Sequence, residues 1–242
     1  MRKNSCAPLT VKTKEIPLRI EQAGKLLCSV LIKQPVFEGD VRSFALRRIN
    51  QYYERFSRKL LRYINTKLRK AAEEQYKYSE ENMYPFNPFE LRSDFTITYN
   101  KNNILSLYTE VYEFRGGAHG STLRFADIWI VSYGSPVSPA VFFPEGTNYK
   151  KLLLDEAIQM ATQRMTEGTA MYFSEYEVLM RKNFSTANIY LTESGMALFY
   201  QQYAIAPYVE GIPVFIIPYN EETGPNLPPC ETDAPEQDKS NK

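Results

Sequence analysis

Histidine is the side chain best suited to move protons near neutral pH, and this 242-residue chain has one, His119. It stands in the turn Gly116-Gly-Ala-His-Gly120, where an imidazole can serve as a base, a ligand or a pH-sensitive contact. A catalytic role needs a partner. Cys28 falls in a predicted strand, where no helix N-terminus activates a thiol, so a Cys–His pair is not expected. One histidine cannot assemble the three-ligand site typical of zinc, and Cys6, Cys28 and Cys230 are too widely spaced for a zinc motif or a disulfide framework. The glycine turn lacks the Gly-Lys-Ser/Thr ending of a phosphate loop and precedes a strand rather than a helix. The acid pairs Glu80-Glu81 and Asp155-Glu156 read as solvated surface, since nothing brings two carboxylates together across a pocket. These residues predict no enzyme, no metal site and no cofactor. The turn's structural reading is that its glycines supply positive φ while His119 caps local carbonyls.

Composition is that of an ordinary globular protein, 43% hydrophobic and 24% charged, with 29 basic against 28 acidic residues. It excludes a disordered chain, a collagenous chain and a disulfide-stapled miniprotein. The charge is unevenly spread. Residues 41–78 hold eleven bases and three acids, and residues 221–242 hold six acids and two lysines. Tyr52, Tyr53, Phe56 and Tyr63 interleave with the bases, a mixture that can contact phosphates and stack on nucleobases. The same aromatics share a stripe with core aliphatics, so a solvated face or an acidic protein partner is the preferred reading. Polyanion or nucleic-acid binding through 41–78 is the alternative. Met1–Ile20 is charged throughout and no apolar run nears the roughly 20 residues of a membrane span, so the sequence as it stands reads as cytoplasmic.

The elements are set by periodicity. Residues 11–37 read as a β-hairpin around Gly24, and Asp40 reads as the N-cap of a helix. From Val41 to Tyr78 apolar residues recur at helical spacing without Gly or Pro, predicting one long helix that bends or ends early. A loop at 82–88 leads to strands at 95–99 and 104–114 joined by the turn 100–103, then a β-rich run 122–133 and a turn 134–139. A helix at 148–167, capped by Thr147 or Asn148, is succeeded by a shorter one at 174–182. A hairpin at 189–201 and a strand at 214–217 complete the fold. The class is α+β: antiparallel sheets packed with one long N-terminal helix and one or two helices in the second half. The expected organisation is an N-terminal tail 1–10, a first region 11–120, a second region 121–220 packed with it as one unit, and a disordered acidic tail 221–242.

The motif Gly116-Gly-Ala-His-Gly120, with Ile189-Tyr-Leu-Thr-Glu-Ser-Gly195, Tyr203-Ala-Ile-Ala-Pro-Tyr208 and Gly211, resembles the domain of unknown function in the extracellular part of the RsiV anti-sigma factor. The same module precedes the catalytic domain of some peptidoglycan polysaccharide deacetylases, and the resemblance covers about residues 11–220. It implies an α+β module that binds a protein or a cell-wall-derived glycan rather than catalysing, and an extracytoplasmic setting. The ligand-contacting residues would be His119, Tyr203 and Tyr208, in a structural frame of Gly116, Gly117, Gly120, Pro207 and Gly211. The family's tyrosine motif has Glu where this chain has Ala204.

Overall fold

A computed structural model describes residues 6–227. Strands β1 (Thr10–Gln22) and β2 (Lys25–Glu38) form the expected antiparallel hairpin. β1 is an outer edge whose charged side chains and Pro17 blunt it against pairing with another chain. The sheet continues through β3 (Phe89–Lys101), β4 (Ile104–Phe114), β5 (Ser121–Ile130) and the short β6 (Ser135–Pro136), in chain order. One pairing corrects the expectation of purely antiparallel sheets: β2 and β3 run parallel. The cause is the long helical crossover between them, which returns the chain to the end where β2 began.

That crossover comprises α1 (Ser43–Tyr63), a π-turn (Ile64–Leu68) and α2 (Arg69–Glu81). Its start is not capped by Asp40; Arg42 occupies the N-cap position and no side chain closes it. The buried stripe is Ala45, Ile49, Tyr53 and Ser57, then Ile64, Leu68 and Ala72. At about 100° per residue, the step from Ala45 to Ala72 would leave the two roughly half a turn apart on a regular helix. The extra residue of a π-turn winds back roughly 100°, which keeps both ends on the twisted sheet. Tyr52 and Tyr53 fasten α1 to β5. Their hydroxyls donate to the two oxygens of Asp127 at 2.8 and 3.2 Å, and the Trp129 indole N–H donates to Tyr53 at 2.9 Å. Burial raises the pKa of Asp127 above its ordinary value, against the pull of the two tyrosine donors.

Beyond a 3₁₀ turn (Pro139–Phe142) come α3 (Tyr149–Thr166), α4 (Tyr176–Asn183) and an antiparallel sheet of β7 (Ile189–Leu191), β8 (Gly195–Phe199) and β9 (Val214–Pro218). Asn148 caps α3 by accepting from the Lys151 N–H at 3.3 Å. Side-chain alternation along the strands separates two cores. Leu105, Leu107 and Trp129 pack with Ile49 and Tyr53 of α1. Tyr99, Ile104 and Ile128, on the opposite face, pack with β7–β9, α3 and α4. The layers are therefore helix, six-stranded sheet, three-stranded sheet and helix, an α+β architecture. Ser106 joins the sheets: its buried hydroxyl accepts from the Leu191 N–H at 2.9 Å. The six-stranded sheet crosses the boundary expected at residue 120, because β4 and β5 pair from Ile104 to Glu113.

The ends of the described chain depart from expectation. Leu9, in the expected N-terminal tail, is buried, and its backbone N–H and C=O bond the Asn100 side chain at 2.9 and 2.8 Å. Cys6 is disulfide-bonded, which corrects the reading that the cysteines form no disulfide; distance along the chain does not measure distance in the fold. Cys28 is a free, buried thiol, whose pKa is pushed up to about 11 by burial and, secondarily, by Glu113 and Glu90. Cys230 lies outside the described residues. Glu221–Leu227, expected as part of the disordered tail, folds back instead: the Asn226 N–H bonds the Phe142 carbonyl at 2.7 Å and Leu227 packs on the core. Leu227 supplies apolar contact that the acidic residues cannot. The tail beyond it, 228–242, and residues 1–5 lie outside the described residues.

Two outcomes test this arrangement. Ser106→Ala leaves the Leu191 N–H without its acceptor and should cost about 1–3 kcal/mol, read as a lower urea midpoint at unchanged m-value. Asp127 binds its proton more tightly when folded, so its contribution to stability is fullest below its ordinary pKa of 3.8 and is lost as pH rises through the folded value. The stability of Asp127→Asn minus that of the wild type should therefore rise with pH across that window; a flat or falling difference would contradict the desolvated carboxylate.

Candidate functional site

The turn between β4 and β5 carries His119, and the segment after β8 carries Tyr203 and Tyr208. In the folded chain these three residues meet. The His119 ring stacks on Tyr208 with centroids 4.1 Å apart and planes 25° from parallel. Its Nε2 lies 3.3 Å from the Tyr203 hydroxyl. The other ring nitrogen, Nδ1, is 3.0 Å from the Gly120 carbonyl, so the neutral ring donates from Nδ1 and accepts the tyrosine proton at Nε2. Tyr203 is 49% and Tyr208 38% exposed, so the cluster opens to solvent. The His119 contact to Gly120 realises the carbonyl-capping role expected of the turn, and the ring stacking adds a second role.

Two glutamines bring the segments together. β6 covers only Trp129 and Ile130, leaving the start of β5 without a strand on the edge away from β4. The Gln201 side chain takes that place at Arg124, accepting from its N–H at 3.0 Å and donating to its carbonyl at 2.6 Å. Gln202 accepts from the Thr122 N–H at 2.7 Å. The next residue, Tyr203, then falls beside the His119 turn. Tyr203 has φ +63°, a left-handed conformation that is uncommon for a bulky residue. It reverses the chain so that its ring stays outside while Ile205 and Ala206 enter the core. Asn183 holds the Ala204 carbonyl at 2.9 Å, and Pro207 opens a 3₁₀ turn (Tyr208–Glu210) that presents Tyr208. Gly211, at φ +62°, ends that turn.

Of the other frame residues, Gly120 is set by space: a β-carbon there would lie 2.4 Å from the Tyr112 ring and 2.6 Å from the Glu113 carbonyl. Of the turn's three glycines only Gly116 has the expected positive φ, +78°; Gly117 and Gly120 do not, and nothing crowds Gly117. Arg124 anchors the same edge. Its guanidinium contacts Glu110 at 2.7 Å and lies 4.1 Å from the Tyr108 ring and 5.4 Å from that of Phe199, bridging the two sheets. Gln201, Gln202 and Arg124 are not legible as site-forming residues, since their roles arise only once the outer edge of β5 is known to be open at its start. Among the described residues, no group of three or more His, Cys, Asp or Glu side chains is placed to hold a metal ion. No helix there is long and apolar enough to cross a membrane. What the cluster offers chemically is three adjoining ring faces with two phenols and an imidazole at hand, suited to stacking and hydrogen bonding.

Both halves of the chain have known counterparts. Residues 22–122 match the family described as Deacetylase PdaC, and residues 141–220 match a protein family of unknown function, DUF3298. No curated protein matches the chain. A crystal structure of a DUF3298 family member from Bacteroides fragilis is similar, with TM-score 0.66, 18% identity, and coverage of 90% of this chain and 92% of that one. A DUF3298 family protein from Pseudomonas aeruginosa has TM-score 0.59 and 16% identity, over 89% of this chain and 93% of its own. These likenesses show the fold. His119 lies within the first matched segment, and Tyr203 and Tyr208 within the second.

Gly120→Ala should push the Tyr112 ring or the turn aside and cost about 1–3 kcal/mol. In the same variant the His119 imidazole resonances should shift as the Tyr203 contact loosens; an unchanged melting curve and spectrum would show that the close approach is not needed.

Proposed function

We propose that the chain is a non-enzymatic binding or sensing module of the RsiV-like type, which recognises a protein or a cell-wall-derived glycan through the His119–Tyr203–Tyr208 cluster. The observation that carries this reading is Tyr203. Holding a bulky residue in the left-handed region costs on the order of 1–3 kcal/mol, and here the ring so placed gains little burial. Strain of that kind, spent on presenting a ring to solvent beside two others, is characteristic of a recognition surface. Aromatic faces suit both the apolar face of a sugar ring and a protein side chain.

Further support comes from the paired matches, which parallel the resemblance drawn from the sequence motifs. The disulfide at Cys6 favours an oxidising, extracytoplasmic setting over the cytoplasmic reading of the sequence. The polyanion alternative is weakened by the helix itself, where Arg58, Arg69, Lys70 and Lys77 each pair with an acid one turn away.

The test is calorimetric titration of the protein with soluble peptidoglycan fragments and with lysozyme at physiological salt. One of the two should bind, and Tyr203→Ala and Tyr208→Ala should each weaken it about tenfold while leaving the fold intact by circular dichroism. Binding that ignores both substitutions would remove the cluster from recognition. Binding of nucleic acid alone, vanishing as salt is raised, would favour the basic helix instead.

A further inference from the structure

A second surface lies on the opposite, helix-bearing side of β5. Leu123 and Phe125 alternate with Asp127 and Trp129, so all four project toward the helix layer. α1 covers Trp129 and Asp127 with Tyr53 and Tyr52, but stands away from the start of the strand. Leu123 and Phe125 consequently remain 52% and 44% exposed. Between them and α1 runs a groove of about 550 Å³, with Val111 and Leu123 as floor and Phe56, Leu60 and Phe125 as walls. Phe56 meets Phe125 edge to face, centroids 5.6 Å apart.

The polar parts of the groove are asymmetric in charge. Glu113 is already engaged: Arg115 donates to it at 2.5 Å and the Tyr63 hydroxyl at 2.8 Å, while Arg115 also reaches Tyr63. The remaining charge at the mouth is Lys59. Arg55 and Arg62, at i−4 and i+3 from Lys59, continue the same exposed helix side outward. Among the described residues none of these three bases forms an ion pair, unlike Arg58, Arg69, Lys70 and Lys77 on the same helical stretch. An occupant must therefore offer an apolar group to the floor and negative charge to the rim. A nucleic acid supplies the charge, but its flat bases stack on open ring faces, whereas Phe56 and Phe125 meet edge to face and the floor beside them, Val111 and Leu123, is aliphatic.

We propose that this groove docks an acidic peptide segment of a protein partner, one aliphatic or aromatic side chain of which seats on Val111 and Leu123, against the paired rings of Phe56 and Phe125. Carboxylates flanking that anchor lie over Lys59, Arg55 and Arg62. The site is separate from the His119 cluster and stands or falls independently of it.

The experiment is selection of a random peptide display library on the immobilised full chain, and then fluorescence anisotropy with the synthesised consensus peptide. The expected consensus is one Leu, Phe or Trp flanked by Asp or Glu. Leu123→Asp and Lys59→Glu should each weaken the peptide about tenfold, with Lys150→Glu, on exposed α3 surface, leaving it unchanged. Leu123 is exposed, so that variant should fold; Arg55→Glu with Arg62→Glu tests the rim without touching the floor. The proposal is overturned if no consensus emerges, if the consensus lacks acids, or if the peptide binds the Leu123 and rim variants as it binds the wild type. It is equally overturned if single-stranded DNA or dodecanoate binds the groove in preference to the peptide.

Discussion

A strand with one unpaired edge has backbone donors and acceptors that must be satisfied, and the start of β5 is such a strand. β6 reaches only its last two residues. Side-chain amides do what a neighbouring strand would have done, with Gln201 and Gln202 bonding the main chain at Arg124 and Thr122. The arrangement has two effects. It prevents that edge from templating another chain, and it fixes the segment after β8 in register with the turn before β5. The aromatic cluster is a product of that register. Arg124 supplies the matching side-chain link, reaching Glu110 within the first sheet and Phe199 in the second.

The two matched segments meet along this line. The PdaC-like match ends at residue 122, just inside β5, and the DUF3298 match begins at residue 141, after the six-stranded sheet has ended. Neither segment contains the whole cluster. Burial joins them as firmly as hydrogen bonding does: Tyr99, Ile104 and Ile128 of the first sheet share one core with β7, β8, β9 and α3. Ser106 adds a polar bond in that dry interface, where an unmatched N–H would be expensive. The aromatic cluster and the stability of the fold thus draw on the same contact between sheets.

Much of this is legible from residue order. Period-two alternation locates β4, and 3.6-residue periodicity with no Gly or Pro locates the crossover helix, because both signals come from one-sided burial. The motifs single out His119, Tyr203 and Tyr208 without any knowledge of their proximity, 84 residues separating the first two. Three things are not legible. The parallel β2–β3 pair depends on where the helix delivers the chain, which local pattern does not encode. Leu123 and Phe125 have the alternation of core residues, yet α1 does not extend over them, so their exposure is a property of helix placement. The disulfide at Cys6 and the docking of Leu9 and Leu227 depend on where chain ends come to rest, far from any sequence neighbour.

The π-turn at Ile64–Leu68 also divides the crossover into two pieces of different rotational phase. On either side of it, the stripe that faces the sheet is counted from a separate origin. Loss of one residue inside the turn would restore a continuous α-helix without changing a single core side chain. It would also leave α2 in its present phase against α1, because the residue lost is the one whose turn of about 100° the π-turn winds back, and the same residues would still face β2. In this helix, position therefore decides what a change in length does: a one-residue loss inside the turn is absorbed there, whereas a one-residue gain or loss elsewhere in α1 or α2 turns everything downstream by about 100° against the sheet.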